Sequence, residues 1–501
     1  MAKKTTFLAA LMALLAFVLR MARLDYVSLR GDEAFSVMVS RWDFGRLFDL
    51  LATTEPHPPL YYTLLHFWIR IAGDGEIAVR FPSVAFGVLL VPATFSFGRI
   101  LIRRLAGYQG GRETDVKVFD KAIGYPIASV GLLAAFFVAI NPFLLWYSQD
   151  ARSYIMLACL TTASMALSLR DLSKAWKWCV FVVVTYAAML THYTAIYVVL
   201  TENIVVLLLL LLHRQDRLAR ARRWFSAQAL LVVAYLPWVW WAISPIRSHS
   251  VTWIDQVDFS TVLERTLVTV GAGTTIDAES RSAVLMVVVL VLLFALMGLA
   301  RFVRTSARWT FVVSGLYLMA PAVLLYGLSL WRPMFDERHL VIFVSSFALL
   351  AALGAVSLVA WRWVGVTLSV VLLGSVAFLS MVNYYFDPEF AKSPGWRELV
   401  NEIRTQEKSG DYILLNFPDP IFSYYYRGST PIGLLPANMP VDRAGTERSL
   451  ADLSNTYRRI WTIPGSWWDT DRIVQKWLGS HLRKVREESF RGVGLELFST
   501  Q

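Results

Sequence analysis

Long apolar stretches alternate with short charged ones through the first 383 residues, a rhythm too coarse for a soluble domain. Runs of about 18–22 mostly apolar residues lie near 7–24, 83–103, 123–142, 152–170, 177–191, 193–212, 225–244, 283–303, 310–331, 339–360 and 364–382. At ~1.5 Å per residue, such a run crosses ~30 Å of hydrocarbon as a helix that satisfies its own backbone. The pattern predicts about eleven transmembrane helices. One further apolar piece, Leu60–Ala72 (LYYTLLHFWIRIA), covers only ~20 Å and carries His66 and Arg70. It reads as an amphipathic helix lying in the interface. After about residue 384 the rhythm changes. WRELVNEIRTQEKSGDYILLNF predicts an amphipathic helix, a stop at Gly410 and a strand, RRIWTIPG another strand, and DTDRIVQKWLGSHL another helix. The expected organisation is a transmembrane domain over 1–383 and a small α/β domain over 384–501.

Composition sharpens this. The chain has 501 residues, 56% of them hydrophobic, and a mean hydropathy of +0.50. Its net charge of +11 would suit nucleic acid if it formed a patch. The charges sit instead in short loops between apolar runs, as in HRQDRLARARR, where they set topology. No nucleic-acid partner is expected. With Leu60–Ala72 left in the interface, the basic loops 99–121, 170–177, 214–223, 301–308 and 361–363 all fall on one side. Counting it as a span would put most of them outside. The positive-inside rule thus predicts a multi-pass protein of the plasma (inner) membrane, N-terminus cytoplasmic and C-terminal domain extracytoplasmic. The N-terminal run lacks a small-residue cleavage site and reads as an uncleaved first span. Cys159 and Cys179 both lie in apolar runs and read as free thiols.

The outer loops hold most of the residues capable of chemistry. LRGDEAFS places Asp32 and Glu33 just after the first span, and EPHPPLYY adds Glu55 and His57 on the same loop. Paired carboxylates near a histidine supply a base and a means of tuning it, although a surface carboxylate can also be merely solvated. WYSQDARSY carries Asp150 and Arg152, readable as a helix cap and an interface side chain as well as site residues. LTHYTAIY turns at His192 and Tyr193, and WRPMFDERHL brings Arg338 and His339 to the start of a late span. Arginine suits phosphate oxygens through charge-assisted, planar hydrogen bonds; its alternative is an interface anchor paired with Asp336 or Glu337. A transporter would bury charge near mid-bilayer, where only Glu202 qualifies. No GxxxxGK[ST] is present, Gly271–Thr275 (GAGTT) follows no clear strand, and Asp469-Thr470-Asp471 reads as the start of a helix rather than a nucleotide-sugar site.

The ordered pieces GDEAF, EPHPPLYY, GEIAVRFPS, SQDARSY, THYTAIY and DERHL resemble those of the GT-C superfamily of membrane glycosyltransferases. The likeness is to family 39 and its aminoarabinose-transferase-like branch, related to protein O-mannosyltransferases, and covers roughly residues 7–345. It implies a GT-C type fold with interface helices in the first outer loop, and sugar transfer from a polyprenyl-phosphate donor to a lipid, glycan or protein acceptor outside. By position, Asp32 matches the catalytic base, Glu33 its neighbour, and Asp150 the second acidic residue. Arg338 and Arg152 would face the leaving phosphate, with Glu55, His57 and His192 lining the site. The family often has Arg-Tyr where this chain has Arg338-His339. Some GT-C enzymes need a divalent cation; a monophosphate flanked by arginine needs it less, so a cofactor or metal is not favoured. A flippase of lipid-linked glycans, a ligase or polymerase of the same architecture, and a non-catalytic scaffold presenting the outer domain are the rival readings.

Overall fold

The computed structural model describes residues 2–53, 57–106, 127–170, 172, 174–212, 216–248, 256–358, 362–465 and 468–500. Backbone packing divides the chain into two compact units: Met1–Leu24 with Ser40–Phe386, and Asp25–Val39 with Asp387–Gln501.

In the first unit each of the eleven apolar runs carries a helix. Among the described residues, eight are long and apolar enough to cross a membrane. The pair Ala128–Ile140 and Pro142–Ser148, bent by 58°, makes a ninth if it is taken as one broken span. Tyr154–Ser168 and Ala175–Met189 are shorter apolar helices of fifteen residues each. The chain is an integral, multi-pass membrane protein. The bend has a local cause: Pro142 opens the second helix, and the Asn141 side chain accepts the Leu144 N–H at 3.0 Å while donating to the Val270 carbonyl at 2.9 Å. Leu60–Ala72 is a separate helix at the predicted bounds, short of a span.

Every residue of Val344–Ser357 is buried, which makes it the central helix. Its approach to a neighbour depends on Gly354, where a Cβ would meet the Ala295 backbone nitrogen at 2.6 Å. Several buried polar groups inside this unit are paired, as hydrocarbon favours. Ser345 bonds to Thr94 at 3.0 Å and Thr162 at 2.9 Å. Glu202 accepts the Ser164 hydroxyl at 2.7 Å. Arg20 is fully buried; its guanidinium donates to Ser148 Oγ at 3.0 Å and to the carbonyls of Ala16, Ala139 and Val138.

The second unit is built on five strands, β1 (Asp411–Leu415), β2 (Ile432–Leu434), β3 (Arg459–Ile463), β4 (Arg483–Phe490) and β5 (Val493–Ser499), in the order β2-β1-β3-β5-β4. β1 runs parallel to β2 and β3, whereas β5 pairs antiparallel with β3 and β4. The predicted helix Trp396–Gln406 precedes β1; it is capped by Glu407 rather than stopped at Gly410, which takes φ +89° in the turn just before the strand. Asp469 marks a helix start, as expected: its carboxylate accepts the N–H groups of Ile473 and Val474, both at 2.9 Å. The segment Asp25–Val39, read from sequence as part of the first outer loop, packs in this unit. The Leu29 N–H donates to Tyr425 OH at 2.7 Å, Ser393 Oγ to the Leu29 carbonyl at 2.8 Å, and Arg397 to the Asp25 carbonyl at 2.8 Å.

Candidate functional site

Four segments of the first unit meet: the turn 149–153, the turn 190–194, residues 336–343 and the start of Leu60–Ala72. Asp150 is fully buried in the first turn, its carbonyl accepting the Arg152 N–H at 2.7 Å. It does not cap the following helix, whose cap is Ser153. Ser83 Oγ donates to the Arg152 carbonyl at 3.2 Å and pairs with Tyr61 OH at 3.1 Å. The Leu60 N–H donates to the Leu190 carbonyl at 2.9 Å, tying Leu60–Ala72 to the turn that carries His192.

Tyr154 lies at the centre. The guanidinium carbons of Arg152 and Arg338 sit 5.8 and 5.9 Å from its ring centroid. Arg338 Nη1 donates to Tyr154 OH at 3.3 Å, and Arg152 Nη1 to Tyr62 OH at 3.1 Å. Asp336 Oδ1 accepts both the backbone N–H and Nε of Arg338, at 2.9 and 2.8 Å, so the expected anchor pair exists alongside the tyrosine contact. Glu337 pairs instead with Arg265 at 3.3 Å. The His192 ring is 5.6 Å from Tyr154 and 5.4 Å from His339, and His57 is 6.1 Å from Tyr62. Tyr147, Asp150 and Asp336 share the field of Tyr154 and Arg338. Two guanidiniums and the carboxylates of Asp150 and Asp336 thus gather around one ring, and the planar guanidinium forks are the groups suited to facing an anion.

Burial holds the His192 imidazole well below its ordinary value, and the positive groups His339, His57, Arg152 and Arg338 push the same way. Its Nδ1 accepts the Thr194 N–H at 3.2 Å, which puts the ring proton on Nε2. His192 is therefore a neutral donor. Tyr193 turns elsewhere, towards Trp238 and Tyr235. Glu55 lies outside the described residues.

Asp32 and Glu33 stand in the first turn of the helix Gly31–Arg41, within the second unit, and have different surroundings. Glu33 is fully buried and its Oε2 accepts the Arg30 N–H at 3.0 Å, the reciprocal half of a capping box. The Asp32 side chain remains 29% exposed, 3.8 Å from Arg30 Nε. Asp419 lies beside them, its oxygen 3.6 Å from where a Cβ on Gly31 would sit. Burial raises the Asp419 carboxyl above the usual range; the negative charge of Asp32 adds to this and the Ile421 N–H opposes it. Sequence reasoning missed Asp419, Tyr154 and Tyr62. The two tyrosines stand inside motifs already quoted, whereas PDPIFSYYY gave no hint that its Asp419 neighbours Asp32.

No protein-family model matches the sequence, and no curated protein does. Solved structures match in fold. ArnT from Cupriavidus metallidurans in the apo state aligns with a TM-score of 0.62 at 11% identity, covering 99% of this chain and 98% of that one. The same protein bound to undecaprenyl phosphate gives 0.61 at 12%, covering 98% of each. The archaeal oligosaccharyltransferase AglB from Archaeoglobus fulgidus, in complex with an inhibitory peptide and a dolichol-phosphate, gives 0.54 at 12%, covering 94% of this chain and 71% of that one.

Proposed function

We propose that this chain, which has the GT-C fold of ArnT and AglB, transfers a sugar from a polyprenyl-phosphate carrier to an acceptor hydroxyl on the outer face of the membrane. The observation that carries the reading is the gathering of Arg152 and Arg338 around Tyr154 at one end of the helices. A leaving phosphate gains charge as the sugar departs, and preformed guanidinium donors in a poorly solvated site stabilise that charge most. Solved structures of the same fold with undecaprenyl phosphate and dolichol-phosphate support a lipid-linked donor.

In this reading Asp32 takes the acceptor's proton as that oxygen attacks the anomeric carbon. The carbon–oxygen bond to phosphate breaks, its electron pair leaving with the phosphate, and the sugar inverts. Asp150 orients the acceptor or steadies positive charge on the sugar. The arginines do the work a divalent cation would otherwise do, so turnover should persist in a chelator. Coverage of ArnT over nearly its full length favours an enzyme of that size over an oligosaccharyltransferase like AglB.

The test incubates purified protein with a panel of polyprenyl-phosphate sugars, with chelator present, and follows release of carrier phosphate. Asp32→Asn should lower turnover by about 10²–10⁴, the usual size of general-base catalysis, and leave donor binding intact. Unchanged carrier release in that variant would remove Asp32 as the base, whereas lipid movement without carrier release would replace the transferase by a flippase.

A further inference from the structure

Arg20 is a charge that neither the reaction above nor a membrane span explains. It stands near the end of the first helix, Ala2–Met21, fully buried, where a guanidinium is costly unless its donors are met. Its acceptors are set around the break between Ala128–Ile140 and Pro142–Ser148. A continuous helix would meet the Val138 carbonyl with the N–H of residue 142, and Pro142 has none. Arg20 Nη2 supplies that donor at 3.3 Å, and Nη1 meets the Ala139 carbonyl at 3.0 Å. A cation there also faces the negative end of the helix dipole. Across the break, Arg20 Nε donates at 3.0 Å to the Oγ of Ser148, the last residue of the second half. One planar fork therefore spans both halves of the broken helix.

The backbone of the same residue continues the link. Gln149 Nε2 donates to the carbonyls of Arg20 and Ala22, both at 2.8 Å, and Tyr384 OH donates to Gln149 Oε1 at 2.5 Å. Asp150 comes next, and Arg152 follows in the same turn. A third helix, Glu76–Ala106, is fitted to the arrangement: a Cβ at Gly87 would lie 2.7 Å from Arg20 Nε and closer still to Ser148 Oγ. A proline break by itself needs only a partner for its freed carbonyls. It does not need one residue to tie both halves together and also hold the entry to the turn 149–153.

We propose that Arg20 is a positioning residue for sugar transfer: it sets the angle at which the broken span presents the turn 149–153, and so the places of Asp150 and Arg152. The role in transfer rests on the reading under Proposed function. Arg20→Lys keeps the charge and loses the fork. In full-length protein, kcat for carrier release should fall by about 10²-fold, the scale of an ångström of misplacement, with donor KM little changed. Hydrogen exchange read by mass spectrometry should quicken at the backbone amides of 149–153. In an Asp150→Asn background the same substitution should cost less than in the unaltered protein, because Arg20 acts through that turn. Gly354→Ala, loosened at a different helix contact, controls for lost stability and should keep kcat. If Arg20→Lys does not fold, Ser148→Ala removes the far acceptor alone and should move both readouts the same way by less. Equal cost in the two backgrounds, a kcat loss as large in Gly354→Ala, or unchanged exchange across 149–153 overturns the proposal. Unaltered protein that releases no carrier from any donor ends the transferase reading instead, and exchange across 149–153 then decides alone whether Arg20 holds this turn.

Discussion

Arg338 holds two partners at once, the Asp336 carboxylate through Nε and the Tyr154 hydroxyl through Nη1. Only a planar fork can do this, so Arg338→Lys keeps the charge and loses one bond. Carrier release should drop by about 10²-fold, the scale of one lost transition-state donor, with the variant still folded. His192 makes a different prediction. Its folded value lies below the ordinary 6.5, so the unfolded chain binds the proton more readily. Its contribution to stability is therefore complete above about pH 6.5 and is lost as the pH falls. The melting temperature should drop on acidification from about pH 7 to 5, and His192→Asn should flatten that slope. In the variant, Oδ1 takes over the Thr194 N–H. An unchanged slope would place the titrating group elsewhere.

At the scale of elements, helix contact is set by small residues and not by the hydrophobic pattern. A Cβ at position 354 would lie 2.6 to 3.0 Å from backbone atoms of Phe294 and Ala295, which cannot rotate aside. Gly354→Ala should push two helices apart and lower the melting temperature by several degrees. Gly374→Ala, with nothing within 4 Å, should leave it unchanged. The sequence also hides the β4–β5 hairpin. KVREESFRGVGLELF alternates charged residues on an exposed edge strand, and its tight turn rests on Arg491 and Gly492, both at positive φ. A charged edge strand carries no apolar period to read.

At the scale of the molecule, the segment bearing Asp32 is built into the C-terminal unit. The Tyr425 hydroxyl takes the Leu29 N–H two residues before Gly31. Tyr425→Phe leaves that N–H unmet and loosens the segment, which Ser393 and Arg397 still hold. Turnover should fall several-fold with donor KM unchanged, whereas a unit serving only as a scaffold would leave both constants as they were. This dependence links residues 396 positions apart.

Eleven apolar runs, the interface helix Leu60–Ala72 and the strands at DYILL and RIWTI were readable because each is a local pattern long enough to repeat its own period. The candidate residues were readable by motif, since short pieces such as SQDARSY and DERHL keep their order along the chain. Which of them meet was not. That Tyr154 stands between Arg152 and Arg338, that Tyr193 turns away from His192, and that Glu33 spends its carboxylate on a helix start depend on how distant segments pack. Sequence determines periodicity and residue chemistry, because both act over a few positions. Tertiary structure decides partners, because a hydrogen bond or a close helix contact is a matter of ångströms between atoms that the chain brings together only once it has folded.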